Sequence, residues 1–374
     1  MIIKNARILS SGVEDGVYHI KIGEGKIEAI VEAGSSLDMD AEEKCIDAGG
    51  AYVTPGLVDA HTHLGMKTDS AGTFHAEHNE PNSLISSHLR AIDGINPLDI
   101  TFKEAREAGI TACASGPGSA NLVGGQYACI KTYGSVVEDI VVDPYIGMKV
   151  ALGENPKKRY DMTRMGIAGN LRDFLRKSRE YSQGNYEEYD EKYEAMIPVM
   201  KGEKPLKIHA HRGDDIVTAI RIAEEFDVRY TLDHVTCGVD VLEYLERKDV
   251  PLLLGPSLGA RGKSELRGKG FNNVVKLSQG RDVCLITDAP VIPLQYLPIC
   301  AGLAISKGME YRKALEAVTI NPARVMGVEN RIGSIEIGKD ADIVIWREKP
   351  FVTIQDPLYV IVDGRIIEGG DEIE

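Results

Sequence analysis

From Leu206 onward the chain keeps one rhythm: a short apolar run, then apolar residues at helical spacing, then another short run. The run 206–211 precedes a segment carrying Ile216, Ala219, Ile220 and Ala223, and the run 229–235 precedes Val239, Leu242 and Leu245. The runs 251–254 and 283–287 follow, the first trailed by a Gly/Arg/Lys-rich loop, the second by helical patterns across 294–306 and 310–319. Strand and helix periods in alternation predict a parallel α/β fold. Upstream the rhythm is looser. A strand ends at His61 and His63, and a long polar loop covers 65–95. Asn96-Pro97 starts a helix bearing Leu98, Phe102, Ala105 and Ala108, which Gly109 ends. Further strands are expected at 110–115, 127–132 and 146–152, with 116–126 as a glycine-rich loop. Thr163 caps a helix with Ile167, Leu171, Phe174 and Leu175, and Tyr186, Tyr189, Tyr193 and Met196 mark a second, its aromatics read as packing. Seven or eight such units fit a (β/α)8 TIM-like barrel better than an open sheet.

The two chain ends have a different character. Residues 1–52 and 333–374 read as short strands punctuated by Gly, Pro and Asp, with Asp363-Gly364 as a hairpin signal. Chain ends within domains often lie close together, so both ends are expected to build one small sheet domain beside a barrel of residues 53–332. A length of 374 residues accommodates that arrangement. The chain has 43 basic and 57 acidic residues, a net charge of −14, which argues against a general nucleic-acid or anionic-membrane binder. No apolar run is long enough to span a bilayer, and the N-terminal stretch lacks a signal-peptide core. Six cysteines with no CxxC pair lead us to expect a reduced, cytoplasmic protein.

Chemistry-bearing residues gather at the strand ends, the rim where barrel enzymes place their sites. His61 and His63 are two apart on one strand and so project to one face. Alone, such a pair is more often an exposed turn than a metal site. Here it has company: Lys149 on the 146–152 strand, His209 and His211 at the end of 206–211, Asp233-His234 at the end of 229–235, and Asp288 after 283–287. Five of nine histidines fall at the rim; the others are His19, His75, His78 and His88.

With these pieces in place, the chain resembles the metal-dependent amidohydrolase superfamily, on its imidazolonepropionase-like branch. The resemblance covers nearly the whole chain: TPGLVDAHTH at 54–63, KIHAH at 207–211, LDH at 232–234, ITDAP at 286–290, NPAR at 321–324 and GSIEIGKDADIVIW at 333–346. It implies a distorted (β/α)8 barrel with a small β-sandwich domain formed from both chain ends. It implies metal ligation by His61, His63, His209, His234 and Asp288, with Asp288 also shuttling the proton. Lys149 matches a lysine that some members carboxylate to bridge two metals; a salt bridge inside the barrel is the other reading. His209 and His211 share a strand face, so one is open as ligand and the other as a supporting or substrate-binding group. Many relatives carry Asp-His-Pro where this chain has Asp288-Ala289-Pro290, a change that bears on the substrate pocket.

Among loop cations, Arg212, Arg261, Lys263 and Arg267 are candidates to receive a substrate carboxylate. The loop 116–126 reads as shaping the pocket rather than as an anion cradle. The ligand set predicts a hydrolase of a C–N bond in a cyclic amide, an amidine or a small dipeptide-like amide, acting on a small molecule. A deaminase of a small heterocycle, and a non-catalytic metal-binding scaffold or sensor, are the alternatives. Zinc is the first expectation for the metal, as one ion or two, with iron, manganese or nickel open. The resemblance also implies a homo-oligomer, at least a dimer.

Overall fold

A computed structural model describes residues 1–35, 44–67 and 76–369. Eight strands form the central sheet, in chain order Leu57–Thr62, Ile110–Ser115, Val123–Lys131, Val141–Ala151, Leu206–Ala210, Tyr230–His234, Leu252–Leu254 and Val283–Leu285. Each pairs with its neighbour in sequence, so the sheet curls round until the first and eighth strands meet. Helices cover the outside, the longest being Arg164–Ser182 and Gly213–Glu225. This is a TIM-like barrel, and the alternation from Leu206 onward is seen as expected, with parallel pairing from the fourth strand to the eighth.

Two features depart from the parallel expectation. The third strand, Val123–Lys131, runs antiparallel to both neighbours. Its first four residues come from the stretch expected to be loop. Gly125 is needed there because a Cβ would stand 2.6 Å from the Leu89 carbonyl oxygen, at φ +130°. The first and eighth strands, moreover, do not pair as a ladder. Side chains close the seam instead. Buried Asp59 accepts from the His61 amide at 2.9 Å, the Thr287 amide at 2.8 Å and the Thr287 hydroxyl at 2.6 Å. The amides of His63 and Asp288 add bonds to the carbonyls of Ala289 and His61 at 2.8 and 3.2 Å.

Local starts also shift. The helix expected to begin at Asn96-Pro97 runs Ile100–Glu107, capped by the Asp99 carboxylate accepting from the Thr101 amide. Asn96 heads a turn instead, its carbonyl taking the Asp99 amide. Thr163 caps its helix as expected. Tyr186 and Tyr189 are exposed and lie outside the short helices Glu191–Glu194 and Ile197–Met200.

Strands from both chain ends form a second sheet of eight: Gly16–Gly23 and Lys26–Glu32 on one side of Ile2–Ile8, and Tyr52–Pro55, Ile343–Trp346, Tyr359–Val362 and Arg365–Gly369 on the other, with Cys45–Asp47 also pairing with Ile2–Ile8. Ile3, Ile8, Ile20, Ile22, Val53, Ile343 and Ile345 pack into its own apolar cluster. Asp363-Gly364 makes the expected hairpin, both residues in the left-handed region. The stretch Val53 to Leu64 thus contributes to both sheets: Tyr52–Pro55 belongs to the terminal sheet and Leu57–Thr62 to the barrel. Gly56 is the joint, where a Cβ would lie 1.9 Å from the Thr111 hydroxyl. All six cysteines are free and five are buried. No helix among the described residues is long and apolar enough to cross a membrane.

Candidate metal centre

The rim residues converge. His61, His63 and Asp288 bring ligand atoms within 4.8 Å of one another, and so do His209, His211 and His234. The two groups adjoin, with the rings of His61 and His234 4.8 Å apart and those of His209 and His234 4.4 Å apart. Lys149 is fully buried beside them, its Nζ 3.1 Å from His61 Nε2. Burial brings its ammonium pKa down to about 8, against the pull of Asp233 and Asp288.

Strand geometry explains part of this convergence and backbone strain the rest. His61 sits within the first strand and His63 follows its end; Lys207 and His209 share a face of the fifth. Alternation would turn His234 away from the side that Asp233 takes. Positive φ values of 81° at His234 and 50° at Val235 break the alternation, and the ring swings back into the centre. Asp288 is likewise held at φ 55°. Non-glycine residues in this region cost about 1–3 kcal/mol each and cluster at functional sites.

Every ring but that of His209 is oriented through its other nitrogen. His61 Nδ1 lies 2.6 Å from Asp233 Oδ2. Burial disfavours the Asp233 charge, but Lys207 and His61 outweigh it and hold that carboxyl well below its usual range. A charged carboxylate only accepts, so Nδ1 carries the proton and Nε2 keeps its lone pair. His63 Nδ1 faces the Gly116 carbonyl at 2.7 Å, and His234 Nδ1 faces the Gly255 carbonyl at 2.8 Å, with the same consequence. Burial lowers the pKa of His61, His209, His211 and His234, so they stand as neutral ligands. His209 is buried with no hydrogen-bond partner at either nitrogen among the described residues, a costly state for a polar group that a coordinated cation would relieve. His211 Nδ1 is 2.7 Å from the Thr236 hydroxyl. Burial pushes the Asp288 carboxyl up; the neighbouring His234, His63 and His61 more than reverse this and leave it ionised. A donor set of neutral imidazoles and a carboxylate suits a divalent ion.

Four of these groups, His63, His209, His211 and Asp288, line a cavity of about 610 Å³. Lys263 reaches it, but Arg212, Arg261 and Arg267 are not among its lining residues. Arg212 is committed to Asp214, Arg267 to Asp240, and Arg261 to the Lys269 carbonyl. Sequence reasoning gave no role to Tyr127, whose hydroxyl is 3.2 Å from His61 Nε2, and placed Asp233 at the rim without a role and without its partner Lys207. It also passed over His78, which lines the cavity 5.3 Å from the His63 ring with its pKa lowered by burial to about 3. The adjacency of Asp233 to His234 was a usable signal; nothing in the spacing marked Tyr127 or His78. His75 lies outside the described residues.

Comparison with known proteins gives the same reading. A model described as "Amidohydrolase family" matches residues 264–367. The chain is 27% identical over 85% of its length to the amidohydrolase tasK of Hapsidospora irregularis, of which it spans only 36%. It is 24% identical to an imidazolonepropionase of Kosmotoga olearia, over 93% of this chain and 90% of that one. The crystal structure of an amidohydrolase from Thermotoga maritima MSB8 superposes with a TM-score of 0.93 at 35% identity, covering 99% of this chain and 100% of the other. Agreement of that extent reaches beyond a shared barrel, and the chain belongs to the amidohydrolase superfamily.

Proposed function

We propose that this chain uses a divalent metal to hydrolyse a C–N bond in a small molecule, a cyclic amide, an amidine or a dipeptide-like amide. The observation that carries the proposal is the gathering of His61, His63 and Asp288 beside His209, His211 and His234, with His63, His209, His211 and Asp288 lining one cavity and His209 without a hydrogen-bond partner among the described residues. His61, His63, His209, His234 and Asp288 would hold the ion, zinc first among the candidates. A bound divalent ion supplies Lewis acidity, making water more acidic and a carbonyl carbon more electrophilic. Asp288, ionised and at the rim, accepts the proton of the attacking water and returns it to the leaving nitrogen. His234, fixed by Gly255, brings a ligand atom within 4.8 Å of those of His209 and His211. His211, at the cavity wall and braced by Thr236, meets the substrate.

A two-ion version with carboxylated Lys149 is favoured by one observation. Lys149 lies beside His61 and close to both ligand groups, and no carboxylate pairs with it among the described residues. Metal counts per chain with anomalous scattering decide this; one ion beside an unmodified Lys149 rules the version out. The main test is a panel of cyclic amides, N-acyl amino acids, dipeptides and aminated heterocycles. We expect hydrolysis of one amide class, and loss of at least 10³-fold in kcat/KM, an order-of-magnitude figure, for His61→Ala and Asp288→Ala with circular dichroism unchanged. Turnover confined to the heterocycles would make the chain a deaminase. Tight metal binding without turnover would make it a sensor or scaffold. We assign catalysis to the barrel expected over 53–332, whose first strand starts at Leu57, and propose that 1–52 plus 333–374, whose sheet also takes in 53–55, form a small β-sandwich. We further propose a cytoplasmic homo-oligomer, for which light scattering gives the assembly state.

A further inference from the structure

The wall of the catalytic cavity has a charge opposite to that of the protein. On a chain of net charge −14, the cavity is lined by Lys67, Lys158, Arg159, Lys263 and Lys269, against Asp288 as its one carboxylate among the described residues. Lys158 and Arg159 end the short helix Glu154–Arg159 and are exposed, as is Lys263, while Lys67 is half-buried; cations so placed are often simply solvated. Lys269 is different. It is 7% exposed, and no carboxylate pairs with it among the described residues. Among the described residues its ammonium makes one hydrogen bond, a long one of 3.4 Å to the Ala260 carbonyl. Burial lowers its pKa, and neighbouring Arg261 opposes its charge further. A buried ammonium left this way is costly to the fold. A structural lysine at this depth would have an acid beside it, as Lys207 has Asp233. Lys269 instead faces the cavity that holds Asp288, whose charge acts on it.

We propose that the substrate carries an anionic group, a carboxylate or a phosphate, and that Lys269 receives it while the C–N bond lies over Asp288. The inference rests on the reading of this cavity as the catalytic one. An anion at Lys269 restores the missing charge partner where water is scarce and the bond is strong. Lys263, beside the same cavity, adds long-range attraction at its mouth. The selected molecule is then bipolar, with a neutral amide at the metal end and an anion at the other.

The test uses the metal-loaded full chain and small probes, so it does not depend on finding the substrate. Propionate, inorganic phosphate and uncharged propionamide are titrated by calorimetry into wild type, Lys269→Met and Lys269→Arg. We expect Lys269→Met to bind at least one of the two anions roughly ten- to a hundredfold more weakly, Lys269→Arg to stay near wild type, and propionamide to be insensitive to both changes. The ratio of propionate to phosphate affinity tells which anion the site is built for. The Tm of Lys269→Met is expected to hold or rise, because an unpaired buried charge is removed. Anion binding within twofold of wild type in Lys269→Met overturns the proposal, as does a fall in Tm that Lys269→Arg fails to rescue. Anion binding that depends on Lys269 in a chain without C–N turnover keeps this inference and discards the function; amide turnover with unchanged anion binding does the reverse.

Discussion

Imidazole offers a metal one nitrogen at a time, and the partner of the other nitrogen decides which. At His61 that partner is Asp233, itself kept charged by Lys207, whose Nζ also donates to the Ala60 carbonyl at 3.1 Å. Asp233→Asn keeps the shape but removes the charge that fixes the proton on Nδ1. We expect metal affinity to fall roughly ten- to a hundredfold, measured by competition with a chelator, with no large change in fold. Unchanged affinity would mean that His61 needs no such support. The ligand candidates themselves were legible because histidine is scarce in this chain and five of the nine lie at strand ends. The residues that orient them were not legible. Tyr127 reaches His61 from a strand whose direction the sequence does not encode, and the role of His234 depends on a left-handed backbone that alternation argues against.

Apolar spacing locates strands and helices but carries no information about direction. This is why the reading held from Leu206 onward, where each crossover helix enforces parallel pairing, and failed at Val123–Lys131, which follows its predecessor through a short connection and returns antiparallel. Glycines at 124 and 125 read as loop and serve instead to let other backbone come close. The seam between the first and eighth strands was invisible for a related reason, since side chains make it rather than a ladder. Thr287→Val removes the hydroxyl that donates to buried Asp59, whose carboxyl burial raises to about 7. We expect a loss of about 1–3 kcal/mol in urea unfolding with the m-value unchanged. A stability equal to wild type would show that the backbone bonds alone hold the seam.

At the scale of the whole molecule, the barrel and the terminal sheet are joined by charge as well as by chain. Lys131, at the end of the third strand, is 3% exposed and lies 2.6 Å from Asp342, 3.1 Å from Asp340 and 3.0 Å from Asp363. Burial opposes its ammonium, but the three carboxylates outweigh this and raise its pKa. Lys131→Met leaves buried Asp342 beside an apolar chain, while Asp340 keeps Lys26 and Arg331. The expected cost is about 3–5 kcal/mol in chemical denaturation, because removing one partner of a buried pair strands the Asp342 charge. A loss below about 1 kcal/mol would show that apolar contacts such as Trp346 with Gly109 carry the junction.

The strand Tyr52–Pro55 lies between Ile2–Ile8 and Ile343–Trp346, and one glycine later the chain enters the strand that carries His61. During synthesis on a ribosome, the outer edge of Tyr52–Pro55 therefore stays without its partner until residues 343–346 have emerged, after the whole barrel has been made. The first ligand pair is among the earliest parts of the chain to be translated and among the last to have its foundation completed, and through that interval the nascent protein carries an open strand edge that only its own distant tail is shaped to cover.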